Sequence, residues 1–488
     1  MFDLIIKNAD VVRPGGAPTR RLDIGIADGT FVALADELDA AKAGSVFDAA
    51  GLIVFPGVVD AHMHFGIYNE LSEDIASESR AAALGGVTTG ISYIRTGQYY
   101  LNRGGSYAEF FPEVRRLTEG RSHIDYGFHV APIEAAHRDE IESLIADFGV
   151  SSFKIFMFYG GHGLHGRSDE QASFLMTPHG ERYDFAHFEF IMRSIKQAAE
   201  RHPDKAAFIS LSMHCEIAEI MTAYSKMVEE AGDLTGLAAY SASRPPHSEG
   251  LAIAIAAYLA HETDCVNINL LHLSSAKAIE SAMRMAATYP HVDFRREVTV
   301  GHLLADIDTA NGAYGKVNPP IRPREDVEAL WEAVLAGHVD WVVSDHACCR
   351  PELKLNADKP DDIFLAKAGF GGTEYLLSGV FSEGIKRGLS HSQIADLLCW
   401  NPAQRFGLRS KGTIEVGYDA DLAILDPDET YTVRAAESES TQGYTPFEGH
   451  ELTGRVKHAF LGGRHILDDG KVVGPPTGRF VERPTPPV

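Results

Sequence analysis

The spacing of apolar residues changes twice along the chain. Residues 1–57 contain short apolar runs separated by turn signals such as Pro14-Gly15-Gly16 and Asp28-Gly29, a pattern typical of β-strands. From Val58 to about Leu408, apolar runs alternate with amphipathic helical patterns, and strand-like segments return after that. Alternating strands and helices indicate a parallel sheet. The chain is therefore expected to have an α/β centre flanked by two β segments.

The central region contains eight apolar runs of strand length, which predicts a closed (β/α)8 TIM barrel of the α/β class. The predicted strands are 58–61, 88–94, 124–129, 151–156, 207–213, 266–271, 292–298 and 339–344. Helical patterns are predicted at 74–84, 138–148, 185–201, 249–261, 276–289, 324–336 and 390–399. We expect residues 58–408 to form the barrel. Each flanking segment is too short to bury a sheet face alone, so 1–57 and 409–488 are expected to form one small β-sandwich domain.

Charge and cysteine content narrow the possible partners. The chain has 44 Lys and Arg against 68 Asp and Glu, a formal charge of -24 that disfavours nucleic acid and anionic lipid as partners. Its five cysteines form no C-x-x-C pair, which suits a reducing cytoplasm. The sequence also lacks the ~18 uninterrupted apolar residues of a membrane span. We therefore expect a cytoplasmic protein with a small-molecule substrate.

Metal-ligand residue types recur where predicted barrel strands end. The first strand ends in Asp60-Ala-His-Met-His64, and residues two apart in a strand point to the same side, so its two imidazoles can share one ion. Each such residue alone has another explanation, such as a core histidine or a helix cap. Barrel enzymes, however, build their sites at these strand ends. The candidate ligands are His62, His64, Lys154, His214, His272 and Asp345.

These residues lie in motifs that resemble the amidohydrolase superfamily, in its cyclic amidase branch of dihydropyrimidinases, hydantoinases, allantoinases and dihydroorotases. The resemblance covers nearly the whole chain. The motifs are Asp60-Ala-His-Met-His64, Ser152-Phe-Lys-Ile-Phe-Met157, Met213-His-Cys-Glu216, Leu271-His-Leu-Ser274 and Ser344-Asp-His346.

The resemblance implies a centre with two divalent metal ions. His62, His64 and Asp345 would hold one ion and His214 and His272 the other, with zinc the first choice and manganese or iron open. An ordinary lysine ammonium would be repelled by two cations. In the family the equivalent lysine is carboxylated by CO2 and bridges the metals, which implies the same for Lys154. The alternative is a strand lysine that points outward.

The implied activity is hydrolysis of a cyclic amide, imide or ureide, as in dihydropyrimidinases and hydantoinases. A hydroxide shared by the two metals would attack the ring carbonyl, with Asp345 as general base. Tyr159 would donate a hydrogen bond to the developing oxyanion, unless it is simply packed at the base of a loop. Alternatives are an allantoinase, a linear-amide hydrolase or a non-catalytic scaffold that resembles dihydropyrimidinase. Such scaffolds have lost metal ligands, whereas this sequence keeps all six positions.

Substrate-side residues follow from two further motifs. Lys316-Val-Asn-Pro-Pro-Ile-Arg322 and Ala368-Gly-Phe-Gly-Gly-Thr-Glu374 resemble loops that approach the ring, and they yield Asn318 and Ala368 as candidates. Dihydroorotases carry a carboxylate-binding arginine where this chain has Gly66, which disfavours orotate-type recognition.

The segment from Gln98 to Gly105 is predicted to be a long loop near the site. Arg95 and Arg103, in or near it, could pair with a substrate carboxylate instead, or could be solvated loop arginines. The resemblance further implies a homo-oligomer, either a tetramer or a dimer.

Overall fold

The computed structural model describes residues 1–166 and 171–488. The strands in this part of the chain, β1–β17, are Phe2–Val11, Arg20–Ala27, Thr30–Ala35, Ala43–Asp48, Ile53–Pro56, Val58–Met63, Val87–Ile94, Asp125–Val130, Ser152–Phe156, Ser210–His214, Asn267–Leu270, Asp293–Thr299, Trp341–Val343, Leu422–Thr432, Glu451–Leu461, Arg464–Asp468 and Lys471–Val472.

The α-helices of the same residues, α1–α15, are Leu71–Leu84, Tyr107–Thr118, His137–Asp147, Gln171–Leu175, Phe185–Arg201, Ala218–Ala231, Gly236–Ser243, Pro246–Thr263, Ala276–Thr288, Val300–Leu304, Arg324–Leu335, Pro351–Lys354, Leu376–Arg387, His391–Ala395 and Asn401–Arg405. A π-helical turn, Asp396–Trp400, joins α14 to α15. None of these helices is both long enough and apolar enough to cross a bilayer.

Strands β6–β13 form the predicted barrel. They are parallel neighbours in chain order, and a bridge between Met63 and His346 brings the two ends of the sheet together. At this seam the His64 backbone N–H donates to the His346 carbonyl at 2.8 Å. All residues of β6, β7 and β8 are buried, because helices cover the outside while side chains fill the inside. The (β/α)8 prediction is thus confirmed.

Helix α5 shows how the sequence determines the bounds and the buried face of a helix on the outside of the barrel. Asp184 caps it by accepting hydrogen bonds from the backbone N–H groups of Ala186 and His187. Its buried side chains include Phe188, Ile191, Met192 and Ile195, whose three- and four-residue spacing places them on one face. That face packs inward, so the helix follows the bounds that its periodicity predicted.

The two ends of the chain build a second, mixed sheet of nine strands. Strand β1 pairs with β2 on one edge and with β4 and β5 on the other, and β5 pairs with β14 from the C-terminal segment. This sheet has its own core, which includes Ile24, Phe31, Val54, Leu422 and Ile424. Both β segments therefore join in one unit, as the sequence predicted, while the division at residues 57 and 408 stays a prediction.

Candidate metal and active site

The six candidate ligands converge at the carboxyl ends of the barrel strands. His62 lies in β6, His64 directly follows it, and His214 ends β10. Lys154 lies in the middle of β9, whereas His272 and Asp345 follow β11 and β13 by two residues. All six are buried. The barrel therefore gathers side chains that are far apart in sequence.

Nitrogen and oxygen atoms of four of these residues lie within contact distance. Asp345 Oδ1 is 3.1 Å from His62 Nε2 and 3.2 Å from His64 Nε2, and Lys154 Nζ is 3.1 Å from His62 Nε2. His272 lies beside them, with its ring centroid 5.5 Å from that of His62 and 4.2 Å from that of His214. All six side chains thus surround one small volume.

Backbone conformation at two of these positions is unusual for non-glycine residues. His272 has φ 36° and Asp345 has φ 53°, both in the left-handed region. Such conformations cost about 1–3 kcal/mol each and persist where the surroundings fix them. At His272 the backbone N–H donates to Glu297 Oε1 at 3.2 Å. The fold thus holds two ligands in a strained geometry that an unconstrained loop would not adopt.

Three histidines have hydrogen-bond partners behind the site. His62 Nδ1 lies 2.7 Å from Glu297 Oε1, and His214 Nε2 lies 2.7 Å from Glu216 Oε2. His64 Nδ1 lies 2.9 Å from the Tyr100 hydroxyl. Each contact uses one ring nitrogen and leaves the other free to bind a metal ion. Hydrogen-bond partners outside a metal site commonly orient metal-binding imidazoles in this way.

Burial and neighbouring charges shift the protonation equilibria here. Burial lowers the pKa of Lys154 to about 7. It would raise the pKa of Asp345, but His62, His64 and Lys154 hold that pKa well below the usual carboxyl range. Burial also lowers the pKa of His62 well below its ordinary value, and Lys154 adds to the effect. The histidines are thus kept neutral, the form that binds metals.

This set of side chains fits divalent metal ions. It offers four neutral imidazoles, an ionised carboxylate and a lysine with a depressed pKa, all buried. Within the described residues, His272 Nδ1 is buried without a hydrogen-bond partner, which is unusual for a polar atom that has no ligand to meet. Nitrogen and oxygen donors of this kind suit zinc and also manganese or iron.

A cavity of about 470 Å³ opens above these ligands. Asn318, Ala368 and Tyr159 line it, and most of its other walls are apolar or aromatic. Those walls include Ile67, Tyr68, Tyr100, Phe156, Phe158, Leu164 and Val317. The Tyr68 hydroxyl donates to the Ala368 carbonyl. The cavity has the apolar walls and the few polar groups typical of a small-molecule site.

Comparisons with known proteins place the chain in a family. The sequence profile of the amidohydrolase family matches residues 177–471. An allantoinase of Rubrobacter xylanophilus is 34% identical over 98% of this chain and 97% of its own. A D-hydantoinase of Ralstonia pickettii is 30% identical over 99% of both chains. A solved D-hydantoinase structure superposes with a TM-score of 0.84 at 29% identity, covering 99% of both chains.

The chain belongs to the amidohydrolase family. The relatives named above place it in the cyclic amidase branch, as the motifs predicted. The six candidate ligands lie in or just after strands of this barrel, and the functional role of each stays a prediction.

The two arginines predicted near this amidohydrolase site do not line the cavity. Arg95 is buried, donates to the carbonyls of Thr96 and Gln98 at 3.0 Å, and lies over the rings of Phe174 and Tyr159. Arg103 reaches the Glu109 carbonyl at 3.0 Å and the Glu113 carboxylate at 3.1 Å. Neither arginine therefore lines the cavity, and a role for either in substrate binding stays a prediction.

Arg95 instead acts on Tyr159 from behind. Burial raises the pKa of Tyr159, and the charge of Arg95 opposes that rise. The guanidinium carbon lies 5.1 Å from the centre of the tyrosine ring. Arg95 thereby keeps the phenol a better hydrogen-bond donor than burial alone would allow.

Gly66 cannot be replaced by an arginine without rearrangement. Its φ is +81°, and a Cβ there would lie 2.9 Å from Leu71 Cδ1 and 3.1 Å from Leu71 Cα. Its N–H donates to Asp74 Oδ2 at 2.7 Å, and its carbonyl accepts from Tyr100 N–H at 3.1 Å. The backbone of this loop thus requires glycine.

Sequence reasoning assigned no role to Glu216, Arg244 or Tyr240. Glu216 stands two residues after His214, a spacing that could have marked it as a partner. Arg244 contacts Glu216, and Tyr240 contacts Arg244, only because the fold brings these distant segments together. No local sequence pattern therefore identifies either residue.

Proposed function

We propose that this protein hydrolyses a ring C–N bond of a cyclic amide, imide or ureide, most like a dihydropyrimidinase or hydantoinase. The observation that carries the proposal is the convergence of His62, His64, Lys154 and Asp345 within 3.2 Å contacts at the base of an open cavity. Membership of the cyclic amidase branch supports the same chemistry.

The proposed metal assignment is the one that the resemblance to the amidohydrolase family implies, and the grouping of His62, His64 and Asp345 supports its first part. His62, His64 and Asp345 would hold one divalent ion, His214 and His272 a second, and Lys154, carboxylated by CO2, would bridge both. Zinc is the first choice. When bound, these ions would supply Lewis-acid activation of water and of the ring carbonyl.

The side chains then have distinct tasks. The Asp345 carboxylate takes the proton of the attacking water and passes it to the departing ring nitrogen. The Tyr159 hydroxyl donates a hydrogen bond to the carbonyl oxygen as negative charge develops there. Asn318 and Ala368 hold the ring through backbone groups of their loops. The aromatic walls exclude water and accept an apolar ring substituent.

A panel of ring substrates tests this proposal. The purified protein, supplied with Zn2+ or Mn2+, is assayed with dihydrouracil, 5-substituted hydantoins, allantoin, dihydroorotate and cyclic imides. We expect ring opening of a hydantoin or dihydropyrimidine, lost in Asp345→Asn and kept in the surface control Asp361→Asn. A chain that binds less than half a metal and hydrolyses none of these would instead be the non-catalytic scaffold.

Allantoin is the second candidate substrate, because an allantoinase of 34% identity matches nearly the whole chain. The apolar walls favour a 5-aryl or 5-alkyl hydantoin over the polar ureido group of allantoin. The ratio of the two kcat/KM values decides between them.

A preference for dihydroorotate would contradict the argument from Gly66, and hydrolysis of open-chain amides alone would favour a linear-amide hydrolase. The predicted cytoplasmic location and the tetramer or dimer stay predictions, which cell fractionation and light scattering would test.

A further inference from the structure

A buried ion pair stands behind the candidate metal ligand His214. His214 Nε2 lies 2.7 Å from Glu216 Oε2, and Arg244 Nε donates to Glu216 Oε1 at 2.8 Å while Arg244 Nη2 donates to Oε2. Carboxylate and guanidinium are almost fully buried. Because an ionised carboxylate only accepts, the proton must sit on His214 Nε2, which leaves the lone pair of Nδ1 for the metal site.

A series of hydrogen bonds also leads from Arg244 to the substrate loop, residues 316–322. Arg244 Nη1 donates to the Tyr240 hydroxyl at 3.1 Å, and that hydroxyl donates to Asn318 Oδ1. Asn318 Nδ2 in turn donates to the Leu164 carbonyl at 2.8 Å. Arginine cannot accept, so the direction of every hydrogen bond in this series is fixed.

These contacts connect two sides of one cavity. His214, Asn318 and Leu164 line the cavity, whereas Glu216, Arg244 and Tyr240, hereafter the relay, lie behind it. The Asn318 side chain is held by the Tyr240 hydroxyl and by the Leu164 carbonyl. The relay therefore helps to set the position of Asn318 and of its backbone at the cavity wall.

Arg322, which lies in the substrate loop, donates hydrogen bonds that hold Arg244 of the relay in place. Its Nη1 donates to the Arg244 carbonyl at 2.6 Å, and its Nη2 donates to Glu249 Oε2 at 2.8 Å. Its Nε donates to Ser274 Oγ at 2.9 Å. Residues 316–322 thus contact Arg244 at both its side chain, through Tyr240, and its backbone.

We propose that Arg244 is a positioning residue that couples the metal site to the substrate loop. Through Glu216 it fixes the tautomer and orientation of His214, and through Tyr240 it fixes Asn318 and the Leu164 segment across the cavity. The inference rests on the proposed function and adds that one residue, Arg244, supports both metal retention and ring binding. Loss of the contacts towards Asn318, one arm of the relay, should weaken ring binding and spare metal retention. Loss of the contacts towards His214, the other arm, should weaken metal retention.

Tyr240→Phe removes only the arm towards Asn318. We expect KM for the best ring substrate to rise about tenfold, while the dissociation constant for Zn2+, measured by competition with a chromophoric chelator, stays within about twofold of wild type. Tyr258→Phe, which removes a hydroxyl from an exposed tyrosine, is the matched control and should change neither quantity.

The arm towards His214 is tested by the double variant Glu216→Gln/Arg244→Met, which removes the buried pair without leaving one charge alone. This variant also loses the contact to Tyr240, so the arm towards His214 is measured by metal binding and not by KM. We expect its Zn2+ affinity to fall about 10- to 100-fold, as for outer partners of metal ligands elsewhere. The electronic spectrum of the Co2+-substituted protein should shift as well, although it should not shift in Tyr240→Phe. Arg244→Lys keeps a charge near Glu216 but loses the planar fork that contacts both Glu216 and Tyr240, so it should raise KM and also weaken Zn2+ binding.

Wild-type Zn2+ affinity and Co2+ spectrum in a folded double variant would overturn the proposal, as would a wild-type KM in Tyr240→Phe. These outcomes are distinct from failure of the proposed function, in which the wild-type protein itself opens none of the rings. The metal measurements do not depend on activity.

Discussion

Lys154 Nζ lies 3.1 Å from His62 Nε2, with the ring of Tyr93 3.9 Å away on another side. Burial lowers the pKa of this lysine to about 7, so a large fraction is a neutral amine at neutral pH. A neutral amine is nucleophilic towards CO2, whereas an ammonium is not. Position and protonation therefore both suit the proposed carbamate.

Lys154→Met should abolish the bridging ligand. We expect metal content to fall to one ion per chain or fewer and kcat/KM to fall about a thousandfold or more, because Lewis-acid stabilisation is worth several kcal/mol. Elemental analysis and ring-opening assays measure both. In wild type, bicarbonate should speed reconstitution of the metal-stripped protein, and an equal rate in CO2-free buffer would argue against carboxylation.

Tyr159→Phe tests the oxyanion contact. The hydroxyl lines the cavity beside the metal ligands, and its hydrogen bond strengthens only as charge develops on the carbonyl oxygen. We expect kcat to fall about 10²-fold with little change in KM. Tyr224→Phe, at a partly exposed position, is the control. A rise in KM at constant kcat would show that Tyr159 binds the ground state only.

Lys354 should make stability depend on pH. It is buried, donates to the Lys316 and Gly369 carbonyls at 2.8 and 2.7 Å, and burial lowers its pKa from 10.5 to about 7. The unfolded chain therefore binds more protons than the folded one between these values, so stability should rise as pH increases from about 7 towards 10.5.

Lys354→Met should make this rise shallower, because one of the buried lysines with a lowered pKa is then absent while Lys154 and Lys316 remain, and Lys359→Met at an exposed site should leave the rise unchanged. Unfolding in urea at several pH values measures the slope. Equal slopes in wild type and Lys354→Met would show that the buried amine is not responsible.

Barrel strands were predictable because apolar runs of strand length mark them directly, whereas several helices were not. Helix α2 contains Pro112, and α13 contains Gly379 and Gly384, residues that weaken a helical pattern until tertiary packing overrides them. Strand β1 joins short apolar runs of the N-terminal segment into one strand of ten residues, because three partner strands pair along it.

At the site, the convergence of the six candidate ligands could be predicted because strand ends meet at one barrel face. The long loop expected at Gln98–Gly105 is also found, and Tyr100 from it contacts His64. Arg95 could not be placed, because nothing in its neighbourhood in sequence shows that Phe174 and Tyr159 would cover it. Contacts between distant segments set such positions.

Lys411 joins the barrel to the β domain, and its removal should destabilise the whole protein. Its Nζ lies 2.9 Å from Asp125 at the start of β8, 2.6 Å from Asp421 just before β14, and 3.1 Å from Asp419. The ammonium is buried, and the carboxylates hold its pKa well above the ordinary lysine value. Lys411→Met would leave these carboxylates facing one another, with the exposed Arg479, 3.8 Å from Asp125, as a weak counter-charge.

We expect Lys411→Met to lower the free energy of unfolding by about 3–5 kcal/mol, the usual cost of removing one partner of a buried ion pair. Urea unfolding at neutral pH measures it. Lys386→Met, which removes an exposed pair with Glu383, should change stability by about 0.5 kcal/mol or less. Adding Asp421→Asn to Lys411→Met should recover part of the loss, because one buried charge is then removed. A loss below about 1 kcal/mol in Lys411→Met would mean that solvent already screens these carboxylates.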